Sequence, residues 1–490
     1  MASRFFTKPN LELALLIISS VTALTFYNRF IQSDDNWFGE QAYWLAYEGQ
    51  VKLKSIPGIF DWENQFLVYH KLLIWIGALI VRFVGWSVYY LKSFNLLCLV
   101  LSTLVMKEFV PSNRRVKLLS ILLLILAPIT LVKSFEFRPE IPAMMFGVFS
   151  YYFLYQFSEK RSYYTLLLGG LCAGLAFLTH LNGVIFCVAG GILLIYMRKW
   201  IGVLLFTLIG LSTCLIYFIP LVLDKSLEVW YNNLKNWPSH QFKEIENGSK
   251  LLLFLKKLIS EQKRYFWDET VAIGSSIFFL AIIMKGKTLW NKHRQLMVYV
   301  GLLVLSLAII GSHKAARYLM LILPFMAIIS ALSLKYICQE KKWKPMTMII
   351  LLVLQFLAFG FTTYKVFDRN IPHVEKHADI LSNLPQGTTV IGPWELIYNE
   401  IDNYRIFNFK TYEYLQERQA KPFTALRILE DLNKRQIEYI ILDKIMKEEE
   451  RHWFRDWVVP ENEMYEEFYR SENYLILKRN RPYSLLSNLF

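Results

Sequence analysis

Leu67-Val-Tyr-His70-Lys71-Leu-Leu-Ile-Trp75-Ile-Gly-Ala-Leu-Ile-Val-Arg82-Phe-Val84 sets the direction of everything around it. The stretch is apolar, yet it opens on His70 and Lys71 and carries Arg82 where a spanning helix would lie in hydrocarbon. Apolar runs of crossing or near-crossing length begin near Leu11, Val88, Leu118, Ile141, Tyr164, Val184, Ile201, Val271, Leu296, Tyr318 and Met346. They predict about eleven transmembrane helices.

Whether 67–84 crosses decides which loops share a side. If it does not, the basic turns holding Lys107, Arg114, Arg115 and Lys117, then Lys160 and Arg161, Arg198 and Lys199, Lys285 to Arg294, and Lys341 to Lys344 all face the cytoplasm with the N-terminus. If it does, all of them move outside, against the positive-inside rule. The segment is therefore expected to lie along the outer interface as an amphipathic juxtamembrane helix.

Composition agrees with a membrane chain. Of 490 residues, 54% are hydrophobic, 16% aromatic and only 19% charged, and the mean hydropathy is +0.31. Soluble globular chains run nearer a quarter charged. The formal charge of +14 sits in short clusters between apolar runs, so no nucleic-acid partner is expected. Cys98, Cys172, Cys187, Cys214 and Cys338 lie inside apolar runs without metal or redox spacing.

Three stretches then stand outside the membrane: 32–87, 224–270 and the tail from Asp368. The organisation expected is a transmembrane catalytic domain over 1–367 and an extracytoplasmic α/β domain over 368–490. In the tail, Thr388 to Ile391 and Glu438 to Leu442 read as strands, and Ala425 to Arg435 as a helix.

Charges at the outer rim are the candidates for chemistry. Asp34 and Asp35 follow the first span, with Glu40 and Tyr43 just beyond; such acids can supply a general base or hold a divalent metal, Mg or Mn. Glu136, Arg138 and Glu140 precede the run from Ile141, and His313, Lys314 and Arg317 precede the run from Tyr318. With His70 and Lys71 they describe acids beside cations suited to an anionic head group. Asn247-Gly-Ser249 fits a glycosylation sequon. Trp230, Tyr231 and Trp237 read first as interface anchors, with acceptor binding as the alternative.

In order and content these motifs resemble the GT-C polytopic glycosyltransferases, specifically the protein O-mannosyltransferase and lipid A aminoarabinose transferase branch. The resemblance rests on Asp34-Asp35 with Ala42, Tyr43 and Gly49; on Tyr69-His-Lys-Leu72 ending in Phe83-Val-Gly85; on Arg138-Pro-Glu140; on Gly169 through His180; and on Arg317-Tyr318 with Pro324. It covers Leu11 to Ser333 and not the tail. Departures are Asp35 where many members have Glu, no prolines after Lys71, Glu140 for the common Asp, and His180 where many have Lys.

What the resemblance implies is an inverting transferase that takes a sugar from a polyprenyl phosphate. Asp34 would be the base, supported by Asp35, with Lys71, Arg138, His70 and Arg317 on the donor phosphate. Glu40, Tyr43, Glu136, Glu140, His313 and Lys314 would support them. The acceptor would be a lipid, glycan or protein, and the setting the bacterial inner membrane with the tail outside. A lipid-linked-sugar transporter or flippase, or a non-catalytic assembly protein, is the alternative; a transporter should carry its charges near the bilayer midplane.

Overall fold

The computed structural model describes residues 8–25, 33–237, 250–311, 314–339, 344–368, 380, 384–419, 422–448 and 452–480. His313 and the Asn247 sequon lie outside these residues.

The structure is a helical membrane body carrying a small C-terminal sheet. Among the described residues three helices are long and apolar enough to cross a bilayer: Val88–Phe109, Glu269–Lys292 and Met348–Phe367. Six shorter apolar helices accompany them, running 10–17 residues. The expected count of spans is thus not reproduced as uninterrupted helices, and proline is one local reason. The run from Leu118 breaks into Arg114–Ile125 and Pro128–Lys133, because the residue before a proline is driven out of the helical region and the ring itself cannot accept a preceding turn. Likewise Pro220 and Pro324 sit in the first turns of Ile219–Leu223 and Leu323–Ile337.

The segment that decides the topology forms the helix Lys71–Phe83, 13 residues long. At 1.5 Å per residue it reaches about 20 Å, short of the ~30 Å hydrocarbon core. Lys71, Leu73, Ile74, Gly77, Ala78 and Val81 are buried on one face, while Leu79, Arg82 and Phe83 are exposed. Gly77 lets this helix close on its neighbours: a Cβ there would stand 2.7 Å from the Phe137 ring and 2.9 Å from Ala42. That contact brings together the helix Ser33–Glu48, the helix Lys71–Phe83 and the loop before Glu140.

Close approach also packs the membrane body. A Cβ on Gly170 would meet the Phe206 carbonyl oxygen at 2.4 Å, so the helices Tyr163–Thr179 and Trp200–Leu215 touch backbone to backbone, as small residues permit.

The tail folds on a five-stranded sheet: β1 Thr389–Gly392, β2 Arg405–Asn408, β3 Tyr439–Asp443, β4 Tyr465–Arg470 and β5 Tyr474–Arg479. Its order is β2-β1-β3-β5-β4. The β2-β1-β3 part is parallel, and β5 runs antiparallel to both β3 and β4. β1, β3 and the helix Ala425–Lys434 fall within a residue of their expected positions. β2, β4 and β5 were not anticipated. β4, Tyr-Glu-Glu-Phe-Tyr-Arg, is an edge strand that buries little beyond Tyr465, so it lacks the alternation that marks a half-buried strand.

The sheet is not an appendage. Trp37, Trp62, Ile74 and Phe137 share one apolar cluster with Val390, Trp394 and Ile441. Asn408 N donates to Ser55 O at 2.8 Å, and the Tyr43 hydroxyl donates to Asp402.

Candidate active site

Asp34 and Asp35 occupy the first turn of Ser33–Glu48, where carboxylates favour the helix dipole. Successive residues on a helix point about 100° apart, and these two diverge. Asp34 is partly exposed and pairs with Arg138. Asp35 is fully buried; its Oδ1 accepts from Phe137 N at 2.5 Å, and its Oδ2 lies 3.5 Å from Lys92 Nζ.

Arg138 is the centre of the group. Its guanidinium contacts Asp34 through Nη1, holds Glu140 through Nε at 3.1 Å and Nη2 at 2.9 Å, and lies 3.6 Å from Glu136. Glu136 in turn takes Lys133 at 2.8 and 2.9 Å. Burial raises the Glu136 carboxyl to about 7, against the pull of Lys133. Arg317 reaches Glu140 at 3.5 Å.

The Glu136–Arg138 loop is held from behind by the helix Val88–Phe109. Asn95 Nδ2 donates to the carbonyls of Glu136 at 2.5 Å and Arg138 at 2.8 Å, and Lys92, one turn earlier, meets Asp35. Lys92, Asn95 and Asp35 therefore fix the backbone that aims Arg138. The sequence reading missed Lys92 and Asn95, although an ionisable residue inside an apolar run is itself a functional signal.

One cavity of about 400 Å³ opens onto Asp34, Arg138, Glu140 and Arg317, together with His70, His180, Tyr69 and Tyr217. His70 and His180 stack at 4.8 Å with 17° between planes. Burial lowers them to about 4 and about 3 respectively, the nearby Arg317 adding to the effect and Glu140 opposing it. His70 is thus a neutral imidazole near pH 7, not the cation that the sequence suggested. The His180 Nδ1 accepts from Asn182 N at 3.0 Å, which leaves its Nε2 to carry the proton.

Other expected residues stand outside the cavity lining. Lys71 is buried with its ammonium 5.1 Å from the Tyr69 ring and 4.9 Å from Tyr217, behind two rings that do line the cavity. Burial lowers it to about 8, with Asp224 opposing. Lys314 goes to Glu261 at 2.6 Å and the Ala308 carbonyl at 2.9 Å. Glu40 accepts from Ser55 N at 2.9 Å and Trp44 Nε1 at 3.1 Å, tying its helix to the following loop, and burial raises its carboxyl. Tyr43 ties the same helix to the tail.

Part of the cavity lining is aromatic. Trp37 and Trp237 line the cavity with Trp394, Lys410 and Tyr414 of the tail, and Trp37 meets Trp237 and Trp394 edge to face, each at 5.8 Å. Nothing in the tail's sequence singled out these three residues.

The residues present do not fit a divalent metal at the acidic pair. Asp34 turns to Arg138 and Asp35 to Lys92 and Phe137 N, so the two carboxylates do not converge. Among the described residues no three His, Cys, Asp or Glu side chains group as a metal site.

A family profile described as dolichyl-phosphate-mannose-protein mannosyltransferase matches residues 68–223, a stretch that includes His70, Arg138, Glu140, His180 and Tyr217. No curated protein sequence matches the chain. By fold it is similar to ArnT from Cupriavidus metallidurans bound to undecaprenyl phosphate, with a TM-score of 0.58 at 10% identity over 95% of this chain and 97% of that one. It is also similar to the Archaeoglobus fulgidus oligosaccharyltransferase in complex with Zn and sulfate, with a TM-score of 0.54 at 12% identity over 89% and 68%. AglB from the same organism, in complex with an inhibitory peptide and a dolichol-phosphate, gives 0.50 at 10% identity over 89% and 70%. With that fold along nearly its whole length and that segment within it, the chain has the fold of ArnT and AglB and is similar over 68–223 to the dolichyl-phosphate-mannose-protein mannosyltransferase family.

Proposed function

We propose that this chain transfers a sugar from a polyprenyl-phosphate donor to a hydroxyl or amine of a lipid, glycan or protein acceptor. Transfer takes place on the extracytoplasmic side of a bacterial plasma membrane and inverts the anomeric carbon. The observation that carries this reading is the meeting of Asp34, Arg138, Glu140 and Arg317 in one cavity.

Asp34 takes the acceptor proton as the acceptor's lone pair attacks the anomeric carbon, and the bond to the donor phosphate breaks with its electron pair going to the phosphate oxygen. Arg138 and Arg317 stabilise that oxygen as its charge grows. Glu140 holds both guanidiniums at the cavity wall. Asp34 is engaged by Arg138. A phosphate arriving at Arg138 competes for the same guanidinium and frees Asp34, so the base becomes available when the donor is in place. Asp35 acts through the Phe137 backbone and not on the acceptor. The membrane body supplies the catalytic domain and the tail closes it on the acceptor side.

Purified Asp34→Asn protein, given a polyprenyl-phosphate sugar and acceptor, tests the assignment. Transfer falls by about 10²–10⁴-fold, the range of a positioned general base, while donor binding is kept. Transfer at the wild-type rate contradicts it.

A further inference from the structure

The ends of the helices opposite the active site form a second cavity, of about 410 Å³. Three separate turns supply one cation each: Arg161 follows Glu140–Lys160, Lys199 precedes Trp200–Leu215, and Arg294 opens Arg294–Ile310. The first of these helices begins at the active-site cavity with Glu140, and its 21 residues span about 31 Å. The two cavities therefore lie a bilayer's hydrocarbon thickness apart.

We propose that this second cavity binds the phosphate head group of an anionic phospholipid in the leaflet opposite the active site. The proposal is independent of the transfer reaction. No acidic residue lines the cavity, and among the described residues Arg161, Lys199 and Arg294 have no carboxylate partner within ion-pair distance. Three uncompensated cations converging on a concave site match a phosphodiester, which guanidiniums grip through paired N–H groups.

Two local features support a selected site. Arg161 sits at φ 55° and ψ 26° at the end of its helix, and Arg198, in the second turn, sits at φ 56°. This left-handed position normally falls to glycine; here arginine occupies it twice. Arg294 lies 5.3 Å from both the Tyr196 and Trp290 rings, which hold its guanidinium in place before any ligand arrives.

A lipid fits better than free phosphate because the cavity is continuous with membrane-facing surface. Phe157, Tyr196 and Met197 line it, and Tyr163, Tyr164, Trp200 and Ile201 beside it are exposed. Such aromatic residues mark the interfacial depth where head groups lie.

The test uses the full chain in neutral detergent, titrated separately with phosphatidylglycerol, phosphatidylcholine and inorganic phosphate. Bound lipid is read by native mass spectrometry and protection by thermal unfolding. Phosphatidylglycerol binds at one molecule per chain in preference to phosphatidylcholine. An Arg161→Gln, Lys199→Gln, Arg294→Gln triple variant weakens it roughly a hundredfold, and a Lys107→Gln, Lys117→Gln, Lys287→Gln control leaves it unchanged. Equal loss in both triple variants, equal retention of phosphatidylcholine, or equal protection by phosphate alone overturns the proposal. Should the pocket triple fail to fold, the three single variants decide: each weakens binding about fivefold, and wild-type binding by all three overturns it.

Discussion

Arg138 lies among three carboxylates, and the site's behaviour depends on how it divides itself. Glu140 takes two of its N–H groups, and Asp34 takes the third edge. Breaking a buried pair on one side leaves an uncompensated charge, so the residues around it are coupled and not interchangeable. The stacked histidines add a pH signature. Their native values lie below the ordinary 6.5, so the unfolded chain binds more protons from pH 6.5 down to about 4 at His70 and about 3 at His180. Stability from the neutral imidazoles is full above pH 6.5 and is lost as pH falls through that window. Glu136, raised from 4.5 to about 7, has the opposite sign: its contribution is present below pH 4.5 and lost as pH rises through 7. A His70→Gln variant isolates the first effect. Its stability relative to wild type rises by roughly 2–3 kcal/mol between pH 7 and pH 4, read as thermal midpoints at fixed detergent. A difference independent of pH contradicts the assignment.

At the scale of elements, the helix Val88–Phe109 is the clamp on which the site is built. Lys92 and Asn95 are three residues apart on one face and reach the carboxylate and carbonyls that set the Glu136–Arg138 loop. Lys92→Met strands Asp35 in a buried setting and costs about 3–5 kcal/mol. Adding Asp35→Asn removes the stranded charge while keeping an acceptor for Phe137 N, so the double variant recovers most of the stability, measured by thermal unfolding. A double variant no more stable than Lys92→Met refutes the pairing. The sequence displayed the rim charges because they interrupt apolar runs. It hid Lys92 because one cation inside a mostly apolar run barely alters a windowed hydropathy. It also presented Asp34 and Asp35 as a pair; only the helical turn separates the residue facing the cavity from the one facing the protein.

In the whole molecule, membrane body and sheet enclose one site. The tail lends Trp394, Lys410 and Tyr414 to the cavity and shares a core with Val51, Leu53, Ile56 and Trp62. β1, β3 and the helix between β2 and β3 over Ala425–Lys434 could be read from alternation and turn residues, but their docking depends on contacts hundreds of residues apart, which no local pattern records. Trp394→Ala opens the aromatic part of the cavity lining that the tail contributes. The acceptor KM rises roughly tenfold, as for loss of a buried aromatic anchor, with donor binding unchanged; a weakened donor and an unaltered acceptor KM contradict that division. Function rests on Asp34, Arg138 and Arg317 forming the phosphate and proton-transfer site. An experimental structure of the full chain with a bound polyprenyl phosphate tests it most directly. The phosphate is expected on the Arg138 and Arg317 guanidiniums with Asp34 released from Arg138; a phosphate seated elsewhere, with the Asp34–Arg138 pair intact, would refute this assignment.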